Sequence, residues 1–366
     1  MPTPRERLFA ALAGETGGPP PAWLLFPYHA TGYYVDVRRH PAYRRVHEAA
    51  LGRAITLDRR HFRVPLHTPE VVSQVQRSGT GPSATETLTV SWRGVRLVQV
   101  AGPRGVKRLL DSDEALEAWC ALPLELDERR LTEELDAQLP AYLREKAEFP
   151  ASCGAMMLDL GEPIGPLYGA SRLEDYAVWS LTHDATVVSF LDRLMAQKRM
   201  VYKWCLEHGL ADVYFLVGSE MASPPLVSRA TFRRWIVPYA RELTALIHQY
   251  GAKVIQHYHG QIREILPDFL DMAPDGLHTI EAPPVGNCTL DEAFTLTQNR
   301  ITLIGNIQYD EFRRLTPPQM RAAVHDVIRE AAGRRLILSP TAGPFDPAPP
   351  GSLIANYLAF LDASCG

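Results

Sequence analysis

The second half of the chain repeats one grammar: a short apolar β-rich run, then helical text, then another run. The runs are "AMMLDLGEP", "VYFLVGSE", "KVIQHYHG", "LHTIEAPP", "RITLIGNIQ" and "RRLILSPTAG". Their cores are apolar at consecutive positions, so each predicts a strand covered on both faces, and the alternation predicts a parallel sheet wrapped by helices. With an earlier strand candidate, "AWLLFPYH", these units fit a distorted α/β (β/α)8 TIM barrel better than an open doubly wound sheet. The G-x-G-x-x-G phosphate turn of open sheets is absent after the early strands.

Helix boundaries are readable between the runs. Ser228 opens helical text that closes at Gly251 and that Pro238 kinks or divides. Thr289–Glu292 and Thr316–Gln319 fit capping boxes, and Gly333 closes the second of these helices. Before the repeat, "RERLFAALAGE" predicts an N-terminal helix. "VVSQVQ", "ETLTVSW" and "VRLVQV" read as β, the last two as an inserted hairpin turning at Arg93-Gly94. "DEALEAWCALP" and "DERRLTEELDAQLPAYLREKAE" are helical by period. A length of 366 residues suits one barrel-sized domain spanning 1–366.

Composition narrows the function classes. A net charge of −4 argues against a nucleic-acid binder, and no apolar run is long enough to cross a bilayer. The start lacks the apolar centre and cleavage site of a secretory signal. Five scattered cysteines without C-x-x-C spacing suit free thiols, so a cytoplasmic protein is expected.

In a (β/α)8 barrel, chemistry sits where strands end. Those ends carry Glu162, Glu220, His257 with His259, Glu281, Asn306 with Gln308, and Thr341, which together imply a polar pocket at one rim. Residues two apart on a strand share a face, so His257 and His259 project together. Two imidazoles followed by Glu281 on the next strand make a His2Glu set of the kind that holds catalytic Zn²⁺. Glu220 is placed to ligate, to orient a histidine or to carry a proton. The alternative at this point is that both histidines bind a substrate carboxylate without metal. Tyr28, His29 and Tyr33 line the pocket or anchor their loop. Asp184 is a further pocket candidate and His183 a surface residue. Cys288 reads as structural, and the pairs Arg233-Arg234 and Arg313-Arg314 as solvated helix faces. The scarcity of cations in these elements suggests a small neutral or aromatic substrate.

The same elements, from "RERLFAALAGE" and "PPAWLLFPY" through "GSEMASPPLVSRATFRRWIVPYARELTALIHQYGAKVIQHYHG" to "LSPTAGPFD", resemble the uroporphyrinogen decarboxylase superfamily. That superfamily also contains corrinoid-dependent methyltransferases. The resemblance implies a distorted (β/α)8 barrel with its site at the strand C-termini. It departs from the haem-pathway enzymes: "PYHATGYY" replaces their R-Q-A-G-R-Y element, and their late histidine is missing from "TAGPFDP". The methyltransferase branch carries zinc on an H-x-C motif and a later cysteine. Here His259 stands in place of the first cysteine, and Thr341 lies near the second.

A His/His/Glu set is harder than one rich in thiolate and better suited to polarising oxygen, which points to members that demethylate methyl ethers. In that scheme His257, His259 and Glu281 hold zinc, while Glu220 completes the sphere or protonates the departing oxygen. Asn306, Gln308 and Tyr33 position the substrate, cobalamin on a partner corrinoid protein accepts the methyl group, and family habit suggests a homodimer. The competing expectations are a metal-free decarboxylase or other lyase, and a non-catalytic small-molecule binding protein.

Overall fold

All six apolar runs form strands. The computed structural model describes residues 2–103 and 105–365. Strand β1 is Thr56–Arg60, and an inserted antiparallel sheet follows in β2 (Val72–Ser78), β3 (Thr85–Trp92), β4 (Val95–Gly102) and β5 (Gly105–Lys107). The repeat then supplies β6 (Gly154–Leu158), β7 (Val213–Val217), β8 (Lys253–His257), β9 (Gly276–His278), β10 (Thr302–Ile307) and β11 (Leu336–Pro340). β1 and β6 to β11 pair in sequence order as one parallel seven-stranded sheet.

The sheet curls. Ala22 bridges to Leu338 on β11 and Trp23 to Ile55 just before β1, both in parallel, so residues 22–23 link its two edges. "AWLLFPYH" is therefore a bridging segment and not the full strand expected. Leu25 adopts φ 59, in the left-handed region, which ends any regular extended run there. The true first strand, "TLDRR", has no apolar run to mark it, and its charged residues Asp58 and Arg60 are buried.

Period-two alternation sorts side chains between two cores. Trp23, Leu57, Met157, Phe215, Ile255, Ile304 and Ile337 meet inside the curl. Leu8, Ala11 and Leu12 of the helix Pro4–Ala13 pack into the same inner cluster. The outward residues of the strands pack under the helices in the larger cluster, each large aliphatic or aromatic side chain there contributing roughly 1.5–3 kcal/mol. No helix among the described residues is long and apolar enough to cross a membrane.

Local signals behave as their chemistry dictates. Both capping boxes form, at Thr289/Glu292 and Thr316/Gln319. The Pro238 region divides one helix into Arg229–Trp235 and Val237–Gln249. The helix Pro317–Ala331 ends where Ala332 and Gly333 both turn left-handed. The inserted hairpin turns at Arg93 and Gly94, both with positive φ, and is the middle of a four-stranded sheet.

Two expectations need correction. Asp184 is no pocket residue: it accepts hydrogen bonds from Arg234 and from Trp235 Nε1 (2.8 Å), tying two helices together. The arginine pairs are more than solvated faces. Arg229 and Arg233 grip the buried Asp268, and Arg313 pairs with Asp346. His183, at a helix junction, is partly buried, its Nδ1 2.8 Å from Thr182 Oγ1.

Candidate active site

Register brings the histidines together. In the parallel ladder Val217 lies beside His257, and His257 beside His278, so the last residues of β8 and β9 face the same way. His257 Nδ1 and His278 Nδ1 are 2.7 Å apart, with the rings stacked at 4.9 Å between centroids. His278 was not anticipated. It is fully buried in "LHTIE", where its apolar neighbours disguise it, and the available signal was its register with His257.

The partners fix the tautomers. His278 Nε2 lies 3.1 Å from the carbonyl of Pro340, which only accepts, so that nitrogen carries the proton. Burial pushes the His278 pKa down to about 3, so the ring is neutral and its Nδ1 is a bare acceptor. His257 is held neutral too, its pKa pushed well below the ordinary value first by burial, with the nearby positive charges of His259 and Arg59 acting in the same direction. Its Nδ1 must therefore donate, which leaves Nε2 as an unprotonated lone pair. Burial thus converts two ordinary histidines into a relay that ends on a free base.

His259 follows on the loop, its ring perpendicular to that of His257 at 4.5 Å. Its Nδ1 is 3.4 Å from Glu281 Oε1, and Glu281 Oε2 accepts from Gly260 N–H at 2.7 Å. Burial opposes charge on His259, but the carboxylates of Glu281 and Glu220 outweigh it and raise its pKa. Glu281 is lowered in turn: burial raises it, and His259 with the Gly260 amide more than compensates. Glu220 accepts from Gly218 N–H at 3.0 Å and is raised by burial. Gly218 holds φ 106 with the Tyr168 hydroxyl 2.6 Å from where a Cβ would stand, so only glycine fits this turn.

Other expected residues divide into two groups. Asn306 and Gln308 follow one another on the same face, and Asn306 Oδ1 and Gln308 Nε2 are buried without partners among the described residues. Such orphans suit a bound ligand. Thr341 Oγ1 donates to Gln308 Oε1 at 3.1 Å and accepts from Tyr309 N–H, so it orients Gln308. His29, in contrast, is committed to structure: its backbone N–H and Nδ1 reach the two oxygens of the buried Asp58 at 2.8 and 2.7 Å. Tyr28 packs under Arg38, whose Cζ is 3.8 Å from the ring centroid. Tyr33 is 48% exposed and lies over Arg59. Cys288 is buried, its thiol pushed up to about 12 by burial, as a structural cysteine should be.

Glu162 is buried beneath this cluster, accepting from Ser219 Oγ at 2.6 Å. Burial raises its pKa from 4.5 to about 7. Between those values the folded chain holds a proton that the unfolded chain has released, so this group's contribution to stability falls as pH rises to about 7. Glu162→Gln is expected to stabilise the protein at pH 8 by up to about 3 kcal/mol, with the two proteins converging below pH 4.5. Urea unfolding at both pH values checks it; a constant difference between variants would contradict the assignment.

A small cavity of about 20 Å³, room for about one water molecule, lies inside the curl, lined by His257, Arg59, Phe215, Tyr34 and Trp23 among others. Arg59 shows that the cavity does contain a cation, contrary to the expectation from the sequence. For the zinc that the resemblance implies, the fit is partial. His257 and His259 each turn Nδ1 toward a fixed partner, the arrangement that orients metal-binding histidines. Yet Glu281 spends both oxygens within the protein, and among the described residues no group of three or more His, Cys, Asp or Glu is arranged to hold an ion. Two imidazoles fit, and Glu281 fits first as the orienter of His259.

Comparison with known proteins agrees with this architecture. A methyltransferase from Methanosarcina mazei has a similar fold, with a TM-score of 0.59, 18% identity and coverage of 99% of both chains. No curated protein matches the sequence significantly. The family model for uroporphyrinogen decarboxylase (URO-D) matches residues 167–364, more than half of the chain and all of β7 to β11. The chain belongs to the uroporphyrinogen decarboxylase (URO-D) family.

Proposed function

We propose that the chain is a methyltransferase that removes a methyl group from a small substrate, a methyl ether in the leading case, and delivers it to a corrinoid protein. The observation that carries this reading is the relay Pro340–His278–His257, which leaves a neutral imidazole lone pair at the mouth of an apolar cavity. The similar fold of a methyltransferase is consistent with it. His257 and His259 would hold zinc through Nε2, with Glu281 orienting His259 and completing the set if its carboxylate turns. Bound there, zinc would supply Lewis acidity at the leaving oxygen, and a corrinoid partner would supply the methyl acceptor.

The chain's own residues do the rest. Asn306 and Gln308 offer their unpaired polar atoms to the substrate, and Thr341 holds Gln308 in place. Glu220, with its raised pKa, is suited to hand a proton to the departing oxygen. Apolar walls exclude water, which would compete for the methyl group.

The test is zinc binding by calorimetry, paired with methylation of free Co(I)alamin, followed by its absorbance, across a panel of methyl ethers. Stoichiometric zinc and zinc-dependent methylation are expected, with proton release as His259 is displaced from its charged state. Absence of both zinc binding and methyl transfer would remove the proposal. Arg59 in the cavity also favours a second reading, a metal-free decarboxylase of the same family, which predicts carbon dioxide release unaffected by chelator.

A further inference from the structure

His257 lines a cavity of about 20 Å³, whereas sites for small molecules start at about 300 Å³. A methyl donor therefore reaches its free nitrogen only if a wall moves. The apolar residues of the lining, such as Trp23, Met157 and Phe215, are buried and form the floor and sides. Of the nine lining residues only Tyr34, Arg59 and His257 keep part of their surface in solvent, so the way in runs between these three.

Two of the three are fixed. His257 ends β8 and is tied to His278, and Arg59 on β1 is paired with Asp159. Tyr34 belongs to no strand or helix: residues 30–36 are irregular, with Gly32 at φ 89. Its ring lies between two loops, 4.4 Å from the Tyr33 ring and 5.1 Å from that of Phe345. A Cβ on Gly343 would run into that ring, so the glycine leaves the slot that Tyr34 fills. The Tyr34 hydroxyl is hydrogen-bonded to Arg59, its N–H donates to Thr31 Oγ1 at 3.3 Å, and Val35 N–H donates to the Pro344 carbonyl at 2.9 Å. These few ties can be released without breaking a strand, as segments that open locally require.

We infer that Tyr34 is a gate that sets the size of molecule reaching the free nitrogen of His257. With the ring in its slot a water-sized molecule fits, and a methyl donor enters when residues 30–36 carry the ring outward. The inference rests on the proposed function and deepens it, since it names the residue that selects donors by size.

Access is measured on the full chain without metal or corrinoid. The probe is diethylpyrocarbonate, which acylates a bare imidazole nitrogen and is far larger than water. Fragment mass spectrometry resolves His257 from His259. In Tyr34→Ala, His257 is expected to react roughly tenfold faster or more than in the native protein, the gain from removing a local opening step. His259, whose side chain is 40% exposed and lies outside the cavity lining, should keep its rate. Tyr34→Phe, which keeps the ring and loses the tie to Arg59, should fall between the two.

Equal His257 rates in the native protein and Tyr34→Ala, including no reaction in either, would overturn the inference. So would the same acceleration at both histidines, which would report general loosening. If Tyr34→Ala does not fold, Tyr34→Phe decides, and a His257 rate at or below the native one counts against the gate. The two readings fail separately. Gated access without methyl transfer defeats the function and keeps the gate, whereas methyl transfer with His257 equally open in both proteins does the reverse.

Discussion

His257→Ala is expected to abolish zinc binding and to lower methyl transfer by at least about a thousandfold, the equivalent of roughly 4 kcal/mol of lost transition-state stabilisation. His257 is the residue on which the relay ends, so nothing else at the rim can replace its nitrogen. The graded test lies one step back. His278 touches neither substrate nor metal in this scheme; it sets which nitrogen of His257 carries the proton.

His278→Phe keeps a flat ring of similar size but offers no acceptor to His257 Nδ1. A loss of 10- to 100-fold in zinc affinity is expected, the usual effect of removing an outer partner of a metal-binding histidine. The lost acceptor frees His257 to adopt the other tautomer, which places a proton on the ligating nitrogen. Calorimetry on both variants separates the roles. Equal effects of the two substitutions would mean that His278 acts by folding alone.

The second large effect is on stability and sits at the other side of the mouth. Asp58→Ala is expected to cost about 3–5 kcal/mol, the range for breaking a buried ion pair from one side. Asp58 is fully buried and receives both the backbone N–H and Nδ1 of His29, with Arg60 Nε at 3.5 Å. Its loss leaves the buried Arg60 with Glu145 as its one carboxylate partner, at 3.5 Å, strands the buried donors of His29, and unties the loop that carries Tyr33 and Tyr34 to Arg59. Asp58→Asn keeps an acceptor for the His29 backbone and should lose less. Urea unfolding of both variants checks this; a loss below about 1 kcal/mol for Asp58→Ala would show that the network is not what holds the loop.

How much of this was legible follows from where polar groups sit. Strands β6 to β11 were readable because their cores are apolar on both faces, and the helices between them because capping is local chemistry. The closing edge was not. "TLDRR" pairs its charges across distances that no window of sequence contains: Asp58 with His29, Arg59 with Asp159. "AWLLFPYH" looked like a strand because hydrophobicity reports burial and says nothing of a left-handed Leu25.

The site divides the same way. Spacing put His257 and His259 on one side of the chain and Glu281 beside them, and the structure brings all three together. It could not show that Glu281 is already occupied by His259 and Gly260, because that depends on the path of the loop. Nor could spacing reveal His278 or Arg59. Each needed the register of a neighbouring strand to be recognised as facing the cavity or its histidine.

The claim on which the account turns is the proton arrangement of the relay, and long-range nitrogen–proton NMR of histidine-labelled protein reads it directly. His257 is expected to be protonated on Nδ1 and bare on Nε2, His278 to be protonated on Nε2, and the His257 Nε2 signal to shift on adding zinc. A proton found on His257 Nε2, or histidine spectra indifferent to zinc, would contradict it.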